Sequence, residues 1–200
     1  MGRLLEMFAA ADFDGLIFDC DGTLIDSMPA HYHAWLAALA PVGITLPEAR
    51  FYGMAGMPTS RIAELLVQEA QVDADPKQLS ARKEENFLQS LALTRPISKV
   101  IEIVHEFHGR RPMAVASGGF RRVILKQLDH LGITDRFDAI VTAEDTERHK
   151  PHPDVFLEAA RRLQIPADRC CVYEDAELGF EAARRAGMAC VDVRVWYEAS

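Results

Sequence analysis

Two aspartates one residue apart, Asp19 and Asp21, open the stretch with the clearest chemical potential. Gly22, Thr23 and Leu24 follow them. Ahead runs Leu16, Ile17, Phe18, a short apolar segment of the kind that makes a buried strand. The carboxylates then stand at the carboxyl end of a strand, where open α/β sheets bind their ligands. Two carboxylates this close repel each other unless a cation or a proton offsets the charge. The chemistry on offer is a Mg²⁺ site, a nucleophile beside an acid/base, or both. An acidic strand-to-loop turn would carry the same residues, because Asp and Gly are ordinary turn formers.

Three later strand ends carry polar residues in the same way. Ser117, Gly118 and Gly119 follow Met113–Ala116; Lys150 and Pro151 come after a loop that leaves the strand Ala139–Ala143; Glu174 and Asp175 follow Cys170–Tyr173. A hydroxyl with glycines at a helix N-terminus cradles phosphate. A lysine holds the same anion as a point charge. Two more carboxylates complete an oxygen-rich site of the kind Mg²⁺ uses. Singly, each piece has a plainer reading: a turn with Ser as cap, a solvated lysine, acids capping the next helix. Together, in this order and each at a strand end, they are the parts for metal-assisted phosphoryl transfer.

The elements that must position these residues alternate. After Met113–Ala116, Ile124, Leu128 and Leu131 repeat at helical spacing and Gly132 stops the helix. Strand Ala139–Ala143 leads to a helix marked by Phe156, Ala160 and Leu163. Strand Cys170–Tyr173 leads to Leu178, Ala182 and Ala186, with Gly187 as C-terminal cap, and Ala189–Val193 is the last strand. Alternation of this sort predicts βαβ units, a parallel sheet and a Rossmann-like α/β core. Residues 25–94 break the pattern. They read as helical throughout, over Ala30–Leu39, Ser60–Ala70 and Pro76–Leu93, with a loop at Gly53, Gly56 and Pro58. The expected organisation is a core of residues 1–24 and 95–200 with an all-helical cap, 25–94, inserted into it.

Composition narrows the rest. An apolar fraction of 49% and a charged fraction of 26% are those of a globular domain with a good core. No apolar run is long enough to cross a bilayer, so no membrane partner is expected. The segment Met1–Ala11 is interrupted by Glu6 and reads as a leader to the first strand, not a targeting peptide. Cys20, Cys170, Cys171 and Cys190 show no Cys-x-x-Cys spacing and read as buried reduced thiols, consistent with a cytoplasmic protein. A net charge of −8, with basic residues no denser than pairs such as Arg121–Arg122, argues against nucleic acid. A monomer is expected.

The stretches Asp19-Cys-Asp-Gly-Thr-Leu, Ser117-Gly-Gly, Lys150-Pro-His-Pro-Asp-Val-Phe and Glu174-Asp-Ala-Glu-Leu-Gly resemble the haloacid dehalogenase superfamily. The helical insertion after the first motif resembles the subgroup of β-phosphoglucomutase and its sugar-phosphate phosphatase relatives. His108 to Ser117 and the closing Ala-Gly-Met-Ala-Cys-Val-Asp-Val-Arg are similar to the bacterial fructose-1-phosphate phosphatase branch. The resemblance implies that Asp19 takes the phosphoryl group as an aspartyl-phosphate and ligates Mg²⁺. It implies that Asp21 gives its backbone carbonyl to the metal and its side chain to acid/base chemistry. Asp175 would ligate the metal, with Glu174 beside it. Ser117, Gly118 and Lys150 would hold the phosphoryl oxygens. In the cap, Ser27, His31, Ala55 and Gly56 fall at family-equivalent positions that face substrate, a small phosphorylated metabolite. Trp35, Leu36 and Leu39 are expected in the cap's own core. Ala55 stands where similar mutases carry a Lys, and Phe120 and Arg121 where they carry a Lys and an Asn. These differences favour a Mg²⁺-dependent phosphatase over the alternative, a mutase that must hold a bisphosphate. A catalytically idle module on the same fold is the third reading.

Overall fold

A computed structural model describes residues 12–197 of the chain. The proposed leader, 1–11, lies outside the described residues. Five parallel strands make the central sheet: β1 (Gly15–Phe18), β4 (Met113–Ala116), β5 (Ala139–Val141), β6 (Cys170–Glu174) and β7 (Ala189–Asp192), in the order β5-β4-β1-β6-β7. Leu16 pairs with Met113 on one side and Cys171 on the other, so β1 is central and every residue of it is buried. The strand order reverses at β1, and the crevice at its carboxyl end is where such a sheet takes a ligand.

Helices cover both faces. Alternate residues of each strand point to opposite sides. Leu16, Phe18, Met113 and Val115 pack against α5 (Ser98–Phe107) and α6 (Arg121–Leu131). Ile17, Ala114, Ala116 and Val172 pack against α7 (Asp154–Leu163) and α8 (Glu177–Ala186). The sheet is therefore the Rossmann-like core the alternation predicts. Strand β5 ends at Val141, two residues before the expected end, because Ala143–Asp145 turns into a 3-10 helix closed by a reciprocal Thr142–Asp145 cap. Helix α5, not among the expected elements, buries Val100, Ile103, Val104 and Phe107 at helical spacing, with Gly109 at φ +72° just past its end.

The inserted segment holds α1 (Met28–Leu39), α2 (Glu48–Tyr52), α3 (Thr59–Ala70) and α4 (Pro76–Ser90). Pro76 sits at the first position of α4 behind Asp75, whose carboxylate accepts the Lys77 N–H at 2.9 Å. Trp35, Leu39, Phe51, Ile62, Leu66 and Leu79 form a separate apolar core for these helices. Leu36 does not join it: it lies on the outer side of α1 and is 37% exposed. The segment is not helical from its first residue. Ile25–Asp26 (β2) and Arg95–Pro96 (β3) pair antiparallel and tie the entering and leaving chains together. A small cluster, Ala34, Phe87 and Val123, joins α1 and α4 to α6 of the sheet layer.

Three of the four cysteines, Cys20, Cys170 and Cys171, are buried thiols. Cys190 is exposed, which corrects the reading of all four as buried; it lies on β7, an edge strand of the sheet. Among the described residues no helix is long and apolar enough to cross a membrane.

Candidate active site

Asp19 leaves β1 directly, its N–H donating to the Tyr173 carbonyl of β6 at 3.0 Å. That bond sets the two strand ends side by side and brings Asp19 next to Glu174 and Asp175. Oxygen atoms of these three carboxylates lie within 4.8 Å of one another. Lys150 arrives from the loop after β5 and is buried between two of them. Its Nζ donates to Asp19 Oδ1 at 2.6 Å and to Glu174 Oε2 at 2.7 Å. The other Glu174 oxygen accepts the N–H groups of Asp175 and Ala176 at 3.1 and 3.0 Å. Helix α8 leaves room for this carboxylate only because residue 179 is glycine: a Cβ there would fall 2.0 Å from Glu174 Cδ.

One ammonium among three carboxylates leaves an excess of negative charge. Burial raises the Asp19 carboxyl, Glu174 adds to it, and the Lys150 charge only partly opposes them, so Asp19 is pushed up to about 8. Burial, then Glu174 and Asp19, likewise raise Asp175 well above the carboxylate range. For Lys150 burial works downward, but Asp19 and Glu174 outweigh it and hold the ammonium charged. An all-oxygen donor set with surplus negative charge fits a hard divalent cation such as Mg²⁺. Asp19, Asp175 and Glu174 are the residues that would hold it. The Asp21 side chain is turned away from this cluster, so only its backbone could serve the metal.

Asp21 faces the inserted helices instead. Its Oδ1 accepts the Ser27 hydroxyl at 2.6 Å and pairs with His31 Nε2 at 2.7 Å. The other ring nitrogen of His31, Nδ1, meets Lys83 Nζ at 2.8 Å. An ammonium has donors only, so Nδ1 accepts and Nε2 is left to donate to Asp21. His31 stacks on Phe87 with ring centroids 3.7 Å apart, which fixes the plane of the imidazole. Burial alone would raise the Asp21 carboxyl. The electropositive His31–Lys83 pair and the hydrogen bonds from His31 and Ser27 win, and hold it well below the usual range. Asp21 Oδ2 remains for a reacting group.

Ser117 is buried at the end of β4, and its Oγ accepts the Gly119 N–H at 3.0 Å. It is a turn residue rather than a helix cap; Phe120 precedes α6 in that position. Its hydroxyl proton is free to donate to a phosphoryl oxygen. Gly118 packs directly on the inserted segment: a Cβ on it would lie 2.9 Å from the Gly56 carbonyl oxygen. Gly56 itself has φ +83°, a left-handed conformation suited to glycine. Asp19, Asp21, His31, Ala55, Gly56, Ser117 and Gly118 line one cavity of about 60 Å³ between the helical segment and the sheet. Lys150, Glu174 and Asp175 lie outside its lining. Ser27 is fully buried and acts on the cavity only through Asp21.

The cavity also contains residues beyond the candidate site given above. Trp35 lines it as well as filling the helical core, and Thr59, Lys83 and Glu84 form its roof. Glu84 Oε1 accepts the Thr59 hydroxyl at 2.5 Å and Lys83 Nζ at 3.2 Å. A signal for Lys83 existed: it interrupts the buried stripe Leu79, Lys83, Phe87 at helical spacing. Arg121 does not reach the cavity, because its guanidinium is committed to Asp145.

A family model described as haloacid dehalogenase-like hydrolase matches residues 16–193. The chain is 40% identical over 183 residues to the fructose-1-phosphate phosphatase YqaB of Escherichia coli, covering 92% of this chain and 97% of that protein. A crystallised hydrolase from Pseudomonas syringae superposes with a TM-score of 0.82 at 27% identity, over 92% of this chain and 87% of that one. A β-phosphoglucomutase from Clostridium difficile has the same fold, with a TM-score of 0.81 at 23% identity over 90% and 84% of the two chains.

Proposed function

This chain belongs to the haloacid dehalogenase-like hydrolases, and we propose that it is a Mg²⁺-dependent phosphatase that hydrolyses small sugar phosphates through an aspartyl-phosphate. The observation that carries this is the placement of Asp19. It stands at the floor of the cavity between Lys150 below and Ser117 beside it, with Asp21 turned toward the space above.

Ser117 and Lys150 position the phosphoryl oxygens against Asp19, so its carboxylate attacks phosphorus in line with the departing sugar oxygen. The negative charge of the entering phosphate raises the Asp21 carboxyl above its low value in the empty site, so Asp21 takes a proton from solvent before closure and gives it to that oxygen as the P–O bond breaks. It then takes a proton from the water that attacks the aspartyl-phosphate, which frees phosphate and restores Asp19. His31 and Ser27 hold the Asp21 carboxyl at one angle through both steps. Bound Mg²⁺ would neutralise charge on the phosphoryl oxygens and on Asp19.

Hydrolysis is favoured over transfer between two sugar positions by the cations of the cavity. Among the described lining residues Lys83 is the one lysine or arginine, and it is spent on His31 and Glu84. Arg61 on α3 is exposed and paired with Glu64. Among the described residues no uncommitted cation lines the cavity to hold a second phosphate. The similarity to YqaB supports a hexose phosphate such as fructose 1-phosphate as first substrate to test.

The test is phosphate release from a panel of sugar monophosphates, with and without EDTA. Mg²⁺-dependent release is expected, and Asp19→Asn should abolish it with the fold retained. Incubation of β-glucose 1-phosphate with trace bisphosphate separates the two reactions. Glucose 6-phosphate in place of free phosphate would overturn hydrolysis.

A further inference from the structure

The C-terminal segment reaches back to the metal-side carboxylates. After β7 a 3-10 turn, Val193–Trp196, delivers Tyr197, whose hydroxyl donates to the Gly22 carbonyl at 2.5 Å. Arg194 fixes that turn by pairing with Asp192 and Glu177 and by lying 4.8 Å over the Phe180 ring. Gly22 has φ +81°, and a Cβ on it would fall 2.1 Å from Asp175 Oδ2. Its Cα is therefore pressed against that carboxylate. The neighbouring Thr23 hydroxyl donates to Asp175 Oδ1 at 3.4 Å. Asp175 and Tyr197 also share a crevice of about 850 Å³ on the side of the molecule where β2 and β3 connect the two layers.

From this geometry we infer that Tyr197 is a positioning residue for the Mg²⁺ site: its hydroxyl pins the Gly22–Thr23 turn, and that turn holds the Asp175 carboxylate toward Asp19 and Glu174. The inference rests on the proposed role of Asp175 as a metal ligand. Outer partners of metal ligands act by fixing orientation, so their loss shows in metal affinity. Tyr197 follows the 3-10 turn and is 45% exposed, and Tyr197→Phe keeps the ring and its packing. The variant removes one hydroxyl and nothing else.

Calorimetric titration of metal-free protein with Mg²⁺ tests this. Tyr197→Phe is expected to weaken Mg²⁺ binding by about tenfold, the low end for outer-shell partners. The Mg²⁺ concentration at half-maximal phosphate release should rise by the same factor. Equal Mg²⁺ affinity in the two proteins would overturn the inference, as would a lower kcat or melting temperature at unchanged affinity, which marks a structural role. If the wild-type protein takes up no Mg²⁺, the metal-site reading falls and this inference with it.

Discussion

Asp19 and Asp21, separated by one residue, lie under opposite electrostatic control. Burial and Glu174 raise Asp19 to about 8, whereas His31, Ser27 and Lys83 hold Asp21 low despite its burial. Environments that push two carboxyls apart assign them different tasks. Asp21→Asn should leave a slow enzyme that accumulates phosphate on Asp19, detectable by intact mass after acid quench, because attack survives while water activation does not. The raised Asp19 also sets a pH dependence. Without metal its folded value lies above the usual carboxylate value, so at pH 7 it holds a proton that Mg²⁺ must displace. Mg²⁺ binding should therefore release protons and tighten as pH rises from 6 to 8. Calorimetry in buffers of different ionisation enthalpy measures the release. Proton-neutral binding at pH 7 would contradict it, and Asp19→Asn should reduce the count.

At the scale of elements, helix α4 matters more than its sequence suggests. Lys83 and Phe87 fix the tautomer and the plane of His31, and through it the Asp21 carboxyl. Lys83→Met should lower kcat by roughly 10- to 100-fold, a part of what acid–base catalysis contributes. Substrate KM should change little, and the pH profile should shift on its acid-base limb. A loss confined to KM would place Lys83 on the substrate instead. The sheet was legible because each of its buried strands is a short apolar run ending in polar residues, and the strand ends placed Asp19, Ser117 and Glu174 without help from geometry. Lys83 is signalled only by its place in the stripe Leu79, Lys83, Phe87, and Glu84 not at all, because a Lys-Glu pair on a helix is ordinary surface composition until the fold buries it. Leu36 misled for the converse reason: an apolar residue one position off the buried stripe of α1 faces outward. Tyr197 lies nearly 180 residues from the turn it touches, and no local pattern announces such a contact.

For the whole molecule, the cavity of about 60 Å³ is small beside the roughly 300–1,000 Å³ of small-molecule sites. We expect the two layers to separate to admit a sugar phosphate, turning about the β2–β3 connection, and to close again to exclude bulk water. Gly118→Val should obstruct closure through the Gly56 carbonyl, lowering kcat by about tenfold or more, since misplacement of about 1 Å can cost some 100-fold. X-ray scattering with and without a phosphate-transition-state mimic should show compaction in the wild type and less in the variant. Identical curves for the wild type in both states would refute the motion.

The contact between Gly56 and Gly118 has a consequence for how such an enzyme can diversify. Closure there is made backbone to backbone, so it places no demand on the side chains that flank it. Met54, Ala55 and Met57 line the cavity from the same loop. Ala55 is free to drift under selection for new substrates; Met54 and Met57 can vary only among apolar residues, because they also pack in the core of the helical segment, and the two glycines that let the layers meet cannot vary. A library randomised at 55 and restricted to apolar residues at 54 and 57 should yield folded, closing enzymes with altered sugar preference, and one randomised at 56 and 118 should yield mostly inactive ones.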